Sequence, residues 1–514
     1  MKNILSVFFL LVSIIFFSCS KKENICQDDS AISQPVQTDD GWQSSSWDSV
    51  QINSEKLQIL VNKICDTTYQ NIHSILIIKE GKLVFEQYFP GYRFNYEIED
   101  YKGKFTNFNL HTIHNLASVT KSVTSILFGI AKDMGFITNL DEKLFKFFPR
   151  YSSLNDSMKD KITLEHLLTM TSGLEWNEQN VSLRKVENDI IQLFLTPDPV
   201  KYILSKPAIH PPGSNFYYNG GNTNLLGKII QETSGQKLDV FAKKYLFDPL
   251  SIHQYRWVYL KPDLVYTSGN LKLRPRDMAK IGYLMLNKGI WKSKRVVSSQ
   301  WIENSTRPHF HFSNKEGYGY QWWIKQYELG TSSVYSFAAL GWGGQNIIVF
   351  PVLNTVVVLT GGNYATKSPN DEIIYRYILP SLDENFNYSY EKVKKEAPIS
   401  EAFKIIKPSK TLNKNIASFS GHWYGRGDFT IADQLIVEKI DSSKASVLYS
   451  WGNHPEGYFK NGWVRRTANV DKSGKITFTL NEASLTFEFE KYEDVLIGYY
   501  KKEDVLSKLI MNRL

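Results

Sequence analysis

The sequence predicts a mixed α/β (α+β) protein: an antiparallel sheet flanked by helices, followed by a smaller all-β barrel or sandwich. Three observations carry that prediction. Val123, Ile126, Leu127 and Ile130 form an apolar stripe at helical spacing, the mark of a helix buried along one side. Ser74–Ile78, Leu83–Phe89, Ile347–Phe350 and Thr355–Thr360 are short, strongly β-forming runs bounded by glycine or proline. Beyond residue 415 the runs become shorter, alternating and turn-separated, as in a small antiparallel barrel or sandwich. With 514 residues the chain has room for two or three domains, each with its own core.

The first residues concern address. Lys2 precedes an almost wholly apolar run from Ile4 to Phe17, and Phe17-Ser18-Cys19 follows. That run is shorter than the roughly 20 residues of a membrane span and fits the core of a signal peptide over residues 1–18. A small residue directly before Cys19 resembles the lipobox of bacterial lipoproteins, whose cysteine becomes the lipidated N-terminus. The position three before the cysteine, usually leucine, is Phe16 here. The expected location is the bacterial cell envelope, with the membrane engaged through a lipid on Cys19. Residues 19–50 are polar, with Asp28-Asp29 and Ser44-Ser45-Ser46, and read as a flexible tether. Of the three cysteines, Cys26 then falls in the tether and Cys65 in a helix, so neither a structural bridge nor a sulfur-based metal site is expected. The net charge of +8 is spread along the chain without a dense basic tract, which gives no nucleic-acid signal.

Residues 51–385 form the principal domain. Leu57 to Cys65 has helical spacing, and the runs around Gly81 read as a β-hairpin. The stretch His114-Asn115-Leu116-Ala117-Ser118-Val119-Thr120-Lys121 reads as extended chain entering a helix, with a serine at the junction. Lys121 follows one helical turn later, so the two side chains face each other. A hydroxyl becomes a useful nucleophile when a nearby base takes its proton, and a buried lysine held neutral is such a base. The helix N-terminus adds free N–H groups and partial positive charge. The pattern alone is cheap, since Ser18/Lys21, Ser182/Lys185, Ser234/Lys237 and Ser389/Lys392 share the spacing.

Farther on, Thr163 caps a short helix, Glu165 suits its first turn and Gly173 closes it. His166 in that helix is read as a hydrogen-bonding histidine in a buried corner, because no acid is placed to orient it for catalysis. Pro211 to Asn222 is a turn-rich loop that projects a tyrosine, and the helix from Pro275 to Leu286 starts on proline. Gly341-Trp342-Gly343-Gly344-Gln345 opens a β run, with Gly343 and Gly344 placed for close approach of a ligand. Ile373 to Leu379 closes the domain as a helix. A lysine-rich linker over 386–414 leads to the β domain at 415–514.

Taken together, Ser118-Val119-Thr120-Lys121, the Tyr218 loop and the Trp342-Gly343-Gly344 stretch resemble, in order, the three motifs of serine β-lactamases and penicillin-binding proteins. The nearest group is that of class C β-lactamases, esterases and D-aminopeptidases. The resemblance spans roughly residues 70 to 385 and implies a β-lactamase-like fold with a mostly helical subdomain. It also implies a serine hydrolase in which Ser118 forms an acyl-enzyme and Lys121 and Tyr218 share proton transfer. Backbone N–H groups of Ser118 and Gln345 would form the oxyanion hole, and no metal or organic cofactor is implied. Two departures shape the reading. The second motif usually runs tyrosine, any residue, then asparagine or serine, but Tyr218 is followed at that place by Gly220; the Tyr217 register keeps Asn219 yet breaks the Phe216 spacing. In the third motif Trp342 stands where lactam-hydrolysing relatives carry a cation for the substrate carboxylate. An esterase, amidase or peptidase acting on a small-molecule or peptide substrate fits better than an efficient lactamase. The alternatives are a D-amino-acid peptidase or carboxypeptidase on wall peptides, a weak β-lactamase and a catalytically silent binding protein.

Overall fold

β1 (Ile72–Lys79) is apolar on both faces, and its two sets of side chains enter two different cores. Ile75 and Ile77 join one cluster, Leu76 and Ile78 the other, as the period-2 alternation of a strand requires. The same split recurs in β9 (Gln345–Phe350) and β10 (Thr355–Gly361), which places all three in the middle of a sheet covered on both sides. This computed structural model describes residues 25–26, 31–329, 332–383, 394–427, 431–453, 460–490, 495–502 and 505–514. The apolar leader and Cys19 lie outside the described residues.

The sheet is antiparallel and eight-stranded, in the order β5 (Phe310–His311), β6 (Glu316–Tyr318), β7 (Trp323–Leu329), β8 (Ser332–Gly341), β9, β10, β1 and β2 (Lys82–Tyr88). In front of it lie α2 (Val119–Asp133) and α5 (Pro275–Leu286), whose apolar residues share one core with Leu76 and Ile78. The helical subdomain, with α3 (Leu164–Leu168) and α4 (Gly220–Ser234), extends that core. Behind the sheet lie α1 (Ser54–Cys65) and the helical stretch 370–382. A hairpin of β3 (Pro90–Phe94) and β4 (Lys102–Asn107) stands apart from the sheet.

The C-terminal domain is a closed eight-stranded barrel, β11 (Gly421–Gly427) to β18 (Val505–Arg513), with a core of its own. Of barrel and sandwich, the chain forms the barrel. It docks behind the sheet: Glu490 takes Lys63 of α1 at 2.7 Å and Arg376 at 3.5 Å, and Lys508 reaches Glu372 at 2.7 Å. That contact is on the face opposite α2.

Three expectations are corrected. Cys26 and Cys65 form a disulfide, with Cα atoms 5.1 Å apart, beside a hydrogen bond from the Ile25 N–H to the Cys65 carbonyl at the end of α1. From residue 31 the presumed tether belongs to the body. Arg276, 1% exposed, donates to the Val36 carbonyl and the Thr38 hydroxyl and meets Asp40 at 3.3 Å, while Trp42 inserts into the front core. Within the presumed linker, Ala397 is fully buried against the barrel and its carbonyl accepts from Gln434 and Ser450. Residues 384–393 lie outside the described ones.

Candidate active site

The chain turns sharply into α2. Ala117 holds φ at +45°, a left-handed value that costs a residue with a Cβ about 1 kcal/mol. Several hydrogen bonds hold the turn in place: Asn115 Oδ1 accepts from the Ala117 N–H at 3.0 Å, and the Ala117 carbonyl accepts from the Thr120 hydroxyl at 2.7 Å. Leu116 N–H adds a bond to the Leu271 carbonyl at 2.8 Å. Ser118 is therefore set, half-buried, at the N-terminus of a helix whose next residues are all buried.

Lys121 Nζ donates to Ser118 Oγ at 3.2 Å and to the Ser268 carbonyl at 2.9 Å. Its ammonium lies 4.6 Å from the centroid of the Tyr218 ring. Tyr218 in turn stacks on Trp323, with ring centroids 5.8 Å apart. Tyr217 instead packs against the front core, and its N–H bonds the Met170 carbonyl. The structure thus brings Ser118, Lys121 and Tyr218 together and leaves Tyr217 aside.

Sequence reasoning missed Glu178. Its carboxylate, 5% exposed, lies 3.5 Å from Lys121 Nζ. The lysine is consequently not the neutral base expected. Burial pulls its pKa down, but the Glu178 carboxylate and then the Tyr218 and Tyr266 phenols outweigh burial and raise it above the ordinary lysine range. No local pattern ties Glu178 to Lys121, because the pair joins a helix to a loop distant in sequence.

The third motif is also placed differently. β7 pairs with β8 only as far as Ala338, so Ala339, Leu340 and Gly341 extend past the end of that pairing. Gly341 touches the serine turn: a Cβ there would lie 2.3 Å from the Leu116 carbonyl oxygen and 3.3 Å from Val119 Cγ2. Gly343 and Gly344, at φ +83° and +91°, form the turn into β9, and a Cβ on them would strike Tyr364 and Ser368. Gln345 is fully buried, paired with Gly341 across the hairpin, and its carboxamide donates to the Gly361 carbonyl at 2.6 Å. The strand end beside Ser118 is therefore Gly341–Trp342, and Gln345 is a sheet residue. Glycines on both sides of Trp342 make the two registers look alike in sequence.

Trp342 is 37% exposed, and its indole N–H is committed to the Tyr364 carbonyl at 2.9 Å. Phe94 and Tyr101 of the β3–β4 hairpin and Tyr364 pack on its ring with centroids 5.0–5.7 Å away. Trp342 thus belongs to an aromatic group, with the Arg184 guanidinium 4.8 Å from the centroid of the Tyr101 ring. Tyr218, Trp323 and Phe312 stack into a second aromatic group. His166 is not near this chemistry: its Nδ1 accepts from the Thr163 N–H at 3.2 Å and closes the cap of α3. Among the described residues no group of three or more His, Cys, Asp or Glu is placed to hold a metal ion.

Comparison with known proteins bears on the family and the fold. The Beta-lactamase family matches residues 73–376, more than half of the chain. An uncharacterized protein of Alkalihalophilus pseudofirmus is 24% identical over 343 residues, covering 61% of this chain and 89% of that protein. A 6-aminohexanoate-dimer hydrolase of Paenarthrobacter ureafaciens is 26% identical over 263 residues, 48% of this chain and 65% of its own length. The crystal structure of a family VIII carboxylesterase shares the fold, with a TM-score of 0.50 at 13% identity, covering 67% of this chain and 99% of that one.

Proposed function

The chain belongs to the beta-lactamase family and is a serine hydrolase of it, and we propose that it cleaves neutral esters or amides through an acyl-enzyme on Ser118, in the bacterial cell envelope. The observation that carries this reading is the Lys121–Ser118 hydrogen bond at the buried N-terminus of α2, with Tyr218 at the same ammonium. Ser118 Oγ attacks the carbonyl carbon while its proton passes to the Lys121–Tyr218 pair, onto a Tyr218 phenolate that the Lys121 ammonium stabilises. The same pair returns a proton to the departing oxygen or nitrogen, and water then releases the acid. The oxyanion is held by the Ser118 N–H at the helix end and by backbone N–H at the Gly341–Trp342 end of β8. The relatives support acyl chemistry of this breadth, since one is named a hydrolase of 6-aminohexanoate dimers and another a carboxylesterase. The envelope location is supported by the apolar Ile4–Phe17 run and by the lipobox-like Phe17-Ser18-Cys19.

Substrate charge follows from Trp342. With its indole N–H already bonded, the half-exposed Trp342 ring offers a substrate apolar contact and no hydrogen-bond donor of its own. Steady-state kinetics test this: p-nitrophenyl esters of short neutral acids are hydrolysed, and penicillins are turned over at least 100-fold more slowly. Trp342→Lys shifts the preference about tenfold toward acyl groups that end in a carboxylate, equivalent to about 1.4 kcal/mol in the barrier. Rapid penicillin turnover by the natural protein contradicts the reading of Trp342.

A further inference from the structure

Position 220 is glycine where the resemblance leads to asparagine or serine, and the structure shows what fills the place. A Cβ built on Gly220 would lie 2.6 Å from Glu178 Oε2 and 3.0 Å from Ser268 Oγ. Gly220 opens α4 without a left-handed φ, so the backbone alone does not demand glycine there. The space does, because a carboxylate from another loop already occupies it. Glu178 Oε2 accepts from the Gly220 N–H at 2.8 Å and from the Trp176 indole N–H at 2.7 Å. Those two neutral donors fix one oxygen, and the other, Oε1, is turned to Lys121 Nζ at 3.5 Å.

We propose that Glu178 takes the place of the side chain absent at position 220 and is the positioning residue for Lys121, so that Glu178 and Gly220 work as a matched pair. The inference rests on the reading of Ser118 as nucleophile. It explains the departure at position 220 by a carboxylate that comes from far away in sequence. The groups that face the Lys121 ammonium are Glu178 from its loop, Tyr218 from the Pro211–Asn219 loop, and Tyr266 with the Ser268 carbonyl from the segment after β-paired Val265. Ser118 Oγ faces it from the lysine's own helix. Together they favour an ammonium pointed at Ser118, the opposite of a lysine that waits as a free amine.

A reciprocal exchange tests the pairing. Gly220→Asn alone crowds the carboxylate and lowers kcat/KM for a neutral p-nitrophenyl ester at least tenfold, and so does Glu178→Ala alone. Glu178→Ala combined with Gly220→Asn recovers at least tenfold over the poorer single variant, because the asparagine then enters the space that Glu178 vacates. The second readout is the pH profile of Glu178→Gln. If the charged lysine is the working form, removing its counter-charge moves the alkaline limb of kcat/KM to lower pH. Independent, additive losses in the exchange, or a Gln variant whose acidic limb moves down while activity at neutral pH rises, would overturn the proposal. An unreactive natural enzyme whose Ser118 takes no covalent probe removes the nucleophile reading as well, which separates the two failures.

Discussion

Lys121 lies in front of the sheet, 2% exposed, with Glu178 at 3.5 Å; Lys63 lies behind it, fully buried, with Glu490 at 2.7 Å. The front pair is long and divided. Lys121 also donates to Ser118 Oγ and to the Ser268 carbonyl, while Glu178 spends its other oxygen on two N–H groups. The back pair is short, and Glu490 is reinforced by Arg376 in a network that continues to Glu372 and Lys508. A buried ion pair recovers the cost of desolvation only when geometry and extra hydrogen bonds are good. The back network meets that condition and fixes the barrel to the body. The front pair gives up close contact and keeps a cation beside the Ser118 hydroxyl.

The largest expected effect is at the front. Lys121→Met lowers kcat/KM for a neutral ester by about a thousandfold, within the range for losing a positioned acid–base group. It also strands Glu178, so denaturant titration shows a loss of about 3 kcal/mol. Next comes the bridge that ties the N-terminal segment to α1. By loop-closure entropy a link across 39 positions contributes about 4 kcal/mol. Cys26→Ser with Cys65→Ser therefore lowers the denaturation midpoint, while kcat/KM of the folded enzyme stays within twofold. Lys63→Met is milder than Lys121→Met in stability, about 2 kcal/mol, since Arg376 remains beside Glu490. It leaves esterase activity in place, and limited proteolysis detects a loosened barrel. A Lys63 variant that loses activity while folded would break the division between front and back.

The smallest effect is a pH dependence inside the barrel. Burial pushes the Asp433 carboxyl up to about 7, although the Tyr449 hydroxyl donates to it at 2.5 Å. Because the folded-state pKa lies above the unfolded one, the folded chain holds the extra proton between about pH 4 and 7. Stability from this group therefore falls as pH rises through that window. Asp433→Asn flattens this slope in thermal unfolding measured between pH 4 and 8, with no change in ester turnover.

The two faces also differ in how much the sequence reveals. Ser118 and Lys121 are legible because one helical turn separates them and an apolar stripe marks their helix as buried. The barrel is legible as short strands between turns, but its closure depends on the pairing of the first strand with the last, which no local pattern carries. Pairings between distant segments are not legible. Glu178 meets Lys121, Cys26 meets Cys65, and Arg276 grips residues 36–40 only because the fold brings those segments together. The register of the third motif failed for a local reason. Gly341, Gly343 and Gly344 all flank Trp342, and only the end of the β7–β8 pairing shows which one abuts the serine turn.

The central claim is that Ser118, served by the front lysine, is the acyl-accepting nucleophile. Intact-mass analysis with peptide mapping after treatment with a fluorophosphonate tests it most directly. The account predicts one adduct, located on Ser118 and absent from Ser118→Ala, with ester hydrolysis lost in step. An adduct on another residue, or ester hydrolysis that persists in Ser118→Ala, would contradict it.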